Sequence, residues 1–304
     1  MSVALRTAVG PVSFANPVLT ASGTAGHGAE LAAYGPLNGL GAVVVKSLCL
    51  EPWPGNPAPR LTEVGPSMLN SVGLSGPGVK AWLRDDLPAL RSAGATVVVS
   101  IWGRRVEDFA AAAQALVGAT ESLAAVEVNV SCPNIEDRAR MFAHSPTATF
   151  DAVAAAECGL PRWVKLSPNV ADLSAIAEAA QQAGAAALTL VNTVLGMAID
   201  VEARRPVLGA GGGGLSGPPL RAVAVRALYE CHRALPDMPL VGVGGVFSGV
   251  DAVELLLAGA SAVEVGTATF RDPRAPWRVL RELEAWCDAH GVKEITELIG
   301  AAHD

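Results

Sequence analysis

The chain has 304 residues, 51% of them hydrophobic and 17% charged, with a net charge of −7. Such a composition buries a large core and excludes a disordered chain, while the acidic balance and the lack of any basic run exclude a nucleic-acid binder. Five cysteines (Cys49, Cys132, Cys158, Cys231, Cys287) stand singly, with no C-x-x-C or C-x-x-H spacing, which excludes a zinc finger or an iron–sulfur cluster held by this chain alone.

Isolated thiols suit a reducing compartment. No charged region followed by an apolar run opens the chain, and no apolar run is long enough to span a bilayer. A cytoplasmic protein without membrane contact is expected. Residues Val3–Leu5 and Val12–Phe14, joined through Gly10-Pro11, read as a small hairpin covering one end of the fold. Eight short apolar runs then recur: Pro17–Thr20, Ala42–Val45, Thr96–Val99, Ala125–Val130, Trp163–Leu166, Ala187–Val191, Pro239–Val243 and Ala262–Val265. Each leads into small or polar residues.

Helical patterns lie between the runs. Val106–Val117 is Ala-rich with apolar spacing near 3.6, and Ala171–Gly184 opens at Asp172 and stops at glycine. Pro218–Leu235 carries proline at its head, and Gly249–Gly259 ends on glycine. Eight runs alternating with helices predict an α/β fold, a (β/α)₈ TIM barrel, as one domain over residues 1–304. A doubly wound open sheet is the alternative. Two connections are long: Leu48–Gly94, holding Met68–Leu74, and Asn192–Asp237, holding Gly211–Pro218. They are expected to wall the C-terminal mouth of the barrel.

The chemistry concentrates at the ends of the runs. In Ala125–Asn134, Val126, Val128 and Val130 follow a period of two, and Pro133 ends the strand. Asn129, Ser131, Cys132 and Asn134 gather there, so Cys132 is the candidate proton-accepting group beside a flat polar ligand. Lys46 and Lys165 lie on strands and must reach the mouth or pair inside. Either could be a Schiff-base nucleophile or a cation beside a flavin. Asn70, Asn129, Asn134 and Asn192, each donor and acceptor, suit a ligand with alternating C=O and N–H groups, such as a pyrimidine. Glycines follow both final runs, at Gly244-Gly245 and Gly266-Thr267, and suit a phosphorylated ligand, a sugar phosphate or flavin mononucleotide. His27, His144, His232, His290 and His303 show no metal spacing and read as surface or helix residues.

Together these stretches resemble dihydroorotate dehydrogenase, class 1, and most of all its class 1B catalytic subunit. The resemblance runs from Asn16 to Asp272. It rests on Ala21-Ser-Gly-Thr24, Val45-Lys-Ser47, Met68-Leu-Asn-Ser-Val-Gly-Leu74, Asn129-Val-Ser-Cys-Pro-Asn134, Val164-Lys-Leu-Ser-Pro-Asn169, Asn192-Thr193 and Gly213-Gly-Leu-Ser-Gly-Pro218. It implies bound FMN and oxidation of dihydroorotate to orotate in pyrimidine synthesis. Cys132 would remove the C5 proton while hydride passes from C6 to the flavin N5. Asn70, Ser71, Val72, Gly73, Leu74, Asn129, Asn134, Asn192 and Thr193 would hold the substrate, with Lys46 bridging substrate and flavin. Ser22, Ser47, Ser100, Asn129, Lys165 and Val191 would line the flavin, and Gly217, Gly244, Gly245, Gly266 and Thr267 would hold its phosphate. The resemblance also implies a homodimeric core and an iron–sulfur flavoprotein electron-transfer subunit. Two departures stand out. Ser100 replaces the family's usual asparagine, and Ile135–His144 replaces a glycine-containing loop. They leave a second expectation open, a related FMN barrel acting on another pyrimidine or cyclic amide.

Overall fold

The structure is a computed structural model describing residues 3–134 and 140–303, with backbone alone at positions 133 and 134. The eight apolar runs form eight parallel strands: β1 (Val18–Thr20), β2 (Val43–Val44), β3 (Val97–Ile101), β4 (Ala125–Asn129), β5 (Arg162–Lys165), β6 (Ala187–Leu190), β7 (Leu240–Val243) and β8 (Ala260–Val265). They bond in the order β2-β3-β4-β5-β6-β7-β8-β1. The ring closes where the Thr20 N–H donates to the Ala42 carbonyl at 3.2 Å. This is the (β/α)₈ barrel expected, and it explains the sequence pattern. Strands covered on both faces are apolar at most positions, so they read as runs rather than alternations.

Helices follow the strands as predicted. Leu173–Gln182 is capped by the Asp172 carboxylate, which accepts the Ala175 N–H at 3.1 Å. Ser248 caps Gly249–Leu257 in a capping box with Asp251. After β1 the chain makes only 3₁₀ turns, Glu30–Ala33 and Leu37–Gly39. The N-terminal hairpin differs from expectation. Val12–Phe14 pairs with Thr7–Val9, not Val3–Leu5. The two-residue turn Gly10-Pro11, with Gly10 at φ +59°, closes the hairpin on its immediate flanks. Ala4 instead bridges to Glu294.

The hairpin plugs the barrel floor. Val9 and Phe14 pack with Leu19, Ala42, Val44, Val98, Ala125, Trp163, Ala187, Val241 and Ala262 in one buried cluster, Phe14 meeting Trp163 edge-on at 5.9 Å. Side chains alternate along a strand, so the next inward positions lie two residues on. There the interior changes character, to Ala21, Lys46, Ser100, Glu127, Lys165, Thr189, Val243 and Glu264. An apolar layer therefore supports a polar one.

The two long connections meet above the mouth. Leu61–Val64 and Ser67–Asn70, from the loop after β2, join Gly213–Ser216 and Val194–Gly196, from the loop after β6, in a four-stranded antiparallel sheet. Residues far apart in the chain thus share one wall.

Candidate active site

A cavity of about 270 Å³ opens at the C-terminal mouth. One wall is made by the turns after β7 and β8. Gly244 at φ +131° and Gly245 at φ +72° take backbone conformations that other residues avoid. A Cβ on Gly245 would come within 2.6 Å of the Arg221 backbone nitrogen. Asp251 fixes the turn: its carboxylate accepts the N–H groups of Phe247 and Ser248 at 2.9 and 2.8 Å and pairs with Arg221. Gly217, Gly266 and Thr267 line the same wall. Thr267 Oγ1 donates to Ser216 Oγ at 2.8 Å, tying this wall to the mouth sheet. Bare backbone at converging turns can take a phosphate, and any Cβ on Gly245 would collide with Arg221 behind the turn.

The floor is ionic. Lys165 Nζ donates to Glu264 Oε2 at 2.9 Å. It lies 3.6 Å from Glu127 Oε2, within ion-pair reach but beyond a hydrogen bond. Both carboxylates are fully buried and Lys165 is 5% exposed. Burial works to strip the lysine of its proton, but Glu127 and Glu264 outweigh it and hold its pKa above the ordinary value. Burial pushes Glu264 up to about 8, with Lys165 opposing and Glu127 adding to the rise. Hydroxyls link this floor to the rim. Ser22 Oγ contacts Ser47 Oγ at 3.2 Å, Ser47 contacts Ser100 Oγ at 2.8 Å, and Ser100 donates to Glu127 Oε1 at 3.0 Å.

Opposite the glycines stand Lys46 and the carboxamides. Burial, then Arg60, lowers the Lys46 pKa. Asn129 Nδ2 donates to Ser47 Oγ at 3.2 Å, and Asn192 Nδ2 donates to Asn129 Oδ1 at 3.3 Å. Asn192 Oδ1 accepts the Thr193 N–H at 2.8 Å, and Asn70 Nδ2 donates to the Gly214 carbonyl at 3.1 Å. These bonds fix which amide edge each residue shows to the cavity.

Cys132 lies elsewhere. Its thiol donates to the Gly103 carbonyl at 2.9 Å and contacts the Asn129 carbonyl oxygen at 3.2 Å, fully buried among Val126, Val128 and Val130. The period of two explains this. Positions 127, 129 and 131 face inward, while 126, 128, 130 and 132 face the outer core. Burial raises the thiol pKa to about 12. The neighbour on the inward side is Ser131, whose Oγ is buried at the cavity wall with no hydrogen-bond partner among the described residues.

Of the residues picked out in the sequence, Ser22, Lys46, Ser47, Asn70, Val72, Gly73, Leu74, Asn129, Lys165, Val191, Asn192, Thr193, Gly217, Gly244, Gly245, Gly266 and Thr267 line the cavity. Three stand off it. Ser71 faces away and accepts from Asn56 Nδ2, Ser100 lies one hydrogen bond behind Ser47, and Cys132 is turned to the core. The Asn134 side chain falls outside the described residues. Met68, Ser131, Ser216, Phe247 and Phe270 line the cavity without having been picked as site residues. Ser131 was recoverable from strand parity; Met68 and Ser216 come in through the paired loops, and Phe247 and Phe270 through the segments that follow β7 and β8. His27, read as a surface or helix residue, sits on the loop after β1 with Nε2 buried and unpartnered among the described residues. Burial and then Lys46 lower its pKa.

The sequence model of one family, described as dihydroorotate dehydrogenase, matches residues 4–286. The chain is 48% identical to a protein of Desulforudis audaxviator named dihydroorotate dehydrogenase B (NAD(+)), catalytic subunit, covering 100% of this chain and 99% of that one. It is 44% identical to a protein of the same name from Geobacter sp., covering 98% and 97%. It is also 44% identical to a provisionally named dihydroorotate dehydrogenase A (fumarate) of Solibacter usitatus, covering 99% of each chain.

Proposed function

This chain belongs to the dihydroorotate dehydrogenase family, oxidoreductases acting on a CH–CH bond, and we propose that it binds FMN and oxidises dihydroorotate to orotate in pyrimidine synthesis. One observation carries the reading. A single cavity has glycine turns on one side, a buried lysine below, and Lys46, Asn70, Asn129, Asn192 and Thr193 opposite. Those residues fit the cofactor: bare backbone for a phosphate, a cation for an electron-rich ring, hydroxyls at its edge.

Gly217, Gly244, Gly245, Gly266 and Thr267 would hold the phosphate, and Ser22, Ser47 and Val191 would line the ring. FMN, when bound, supplies the two-electron acceptor that takes the C6 hydrogen. The carboxamides of Asn70, Asn129, Asn192 and Asn134 match the alternating C=O and N–H groups of the substrate ring, and Lys46 faces its carboxylate. Cys132 takes the C5 proton, which is acidified by the adjacent carbonyl. To do so its thiol must leave the Gly103 carbonyl for the cavity. There the Lys46 ammonium favours the thiolate that burial now disfavours.

The name catalytic subunit carried by relatives supports a partner subunit; the reading takes it to be the iron–sulfur flavoprotein that passes electrons on, with this chain as a homodimeric core. No helix among the described residues is long and apolar enough to cross a membrane. The test is turnover with dihydroorotate against dihydrouracil, using an artificial acceptor and following orotate by its ultraviolet absorbance. Orotate formation is expected. Oxidation of dihydrouracil alone would move the substrate to another cyclic amide.

A further inference from the structure

The floor of the cavity holds more acid than its one cation can balance. Glu127 and Glu264 are both fully buried and share Lys165. With all three ionised, a net charge of −1 would sit in the barrel interior, and an uncompensated buried charge is costly. Glu264 also keeps one oxygen, Oε1, buried without a partner among the described residues, the atom on which a proton can rest. Glu127 is arranged in the same way, Oε1 accepting from Ser100 and Oε2 buried without a hydrogen bond among the described residues. The pair as a whole therefore has room for one proton, and burial together with the Glu127 charge favours Glu264 as its carrier.

Among the described residues, the charged groups that act on Glu264 belong to this cluster. Lys165 from β5 and Glu127 from β4 act on it. The adjoining strands β1 and β7 present Leu19, Ala21, Val241 and Val243 on the inward side, and β6 presents Thr189, none of them titratable. The hydroxyl chain Ser100–Ser47–Ser22 reaches the rim from Glu127, so the cluster can exchange a proton with the mouth.

We propose that Glu264 is a positioning residue that acts through Lys165: by holding or releasing one proton it switches the charge beneath the cavity floor between zero and −1, and so sets how strongly the site favours an electron-rich ring above it. With the proton on, Glu127 and Lys165 cancel and the lysine hydrogen bond still orients the ammonium. With it off, the floor is negative and opposes added negative charge in the ring. Burial and Glu127 place the switch near pH 8, inside the working range of a cytoplasmic enzyme.

This inference rests on the FMN reading above, and two readouts separate the two. The first is the midpoint potential of bound FMN from pH 6 to 10 in the wild-type protein, Glu264→Gln and Glu127→Gln. The wild type is expected to show an added fall above about pH 8, while E264Q, neutral at every pH, lacks it. At pH 9.5 E264Q should then favour the reduced flavin roughly tenfold more than wild type, about 30 mV for a two-electron couple, and converge with it at pH 6. E127Q relieves the like charge, so its break moves down in pH. The second readout needs no FMN: urea stability of the apoprotein. A carboxyl that keeps its proton up to about pH 8 stabilises most at low pH and loses that contribution as pH rises from about 4.5 to 8, and E264Q flattens the slope. An E264Q protein whose potential and stability profiles run parallel to wild type, merely offset, overturns the proposal, as does an E127Q break left at pH 8 should E264Q not fold. A wild-type protein that takes up no FMN yet shows the stability slope keeps Glu264 as a proton holder and defeats the FMN reading instead.

Discussion

The two sides of the mouth are built to different degrees. On the glycine side the turns after β7 and β8 are pinned: Asp251 holds two backbone N–H groups and Arg221, and Thr267 is tied to Ser216. On the cysteine side the Cys132 thiol, the proposed base, is turned to the Gly103 carbonyl, and Ser131 Oγ faces the cavity unpartnered among the described residues. The contrast separates binding from chemistry. A cradle for a permanent guest is best rigid before the guest arrives, since ordering it later costs affinity. If Cys132 is the base proposed, a thiol kept buried and protonated until the substrate is in place would be protected from oxidation and alkylation.

The comparison breaks most plainly at Cys132. Cys132→Ala is expected to leave FMN bound while slowing flavin reduction by dihydroorotate roughly 10²- to 10⁴-fold, measured by anaerobic stopped-flow absorbance. Fast reduction in that variant would remove the thiol from the base role. Next in size is Lys165→Met, which strands two buried carboxylates. Urea unfolding should show a loss of about 3–5 kcal/mol, and an unchanged midpoint would mean that the floor is not ionic as described. On the glycine side, Gly245→Val forces a disfavoured φ and meets Arg221. A loss of about 1–3 kcal/mol of FMN binding, roughly 5- to 150-fold in Kd by fluorescence titration, is expected, and full retention would unseat the cradle. Smallest is Ser131→Ala. Losing one hydrogen bond to bound substrate should raise KM about 2- to 10-fold with little change in flavin occupancy, and an unchanged KM would leave Ser131 a bystander.

These contrasts also show what a sequence can and cannot disclose. The barrel was legible because strands buried on both faces are apolar at most positions, so Val97-Val-Val99 or Ala187-Leu-Thr-Leu190 announce themselves. That the glycines and asparagines line one cavity was legible because such residues at strand ends are hard to explain otherwise. The hairpin register was not, because Val3 and Leu5 alternate as well as Thr7 and Val9 do, and the Gly10-Pro11 turn decides. Nor was the acid floor. Glu127 and Glu264 inside strands look like the polar half of an ordinary alternation, and Lys165 meets Glu264 across 99 residues of chain. The orientation of Cys132 was not legible in its motif: strand parity turns the thiol outward, and its role as base stays a proposal.

The most direct test of the central reading is the visible spectrum of the purified protein before and after anaerobic addition of dihydroorotate. A flavin spectrum that bleaches is the predicted result and joins cofactor, substrate and cavity in one observation. A protein that stays colourless after FMN is added back, or whose bound flavin is untouched by dihydroorotate, contradicts it.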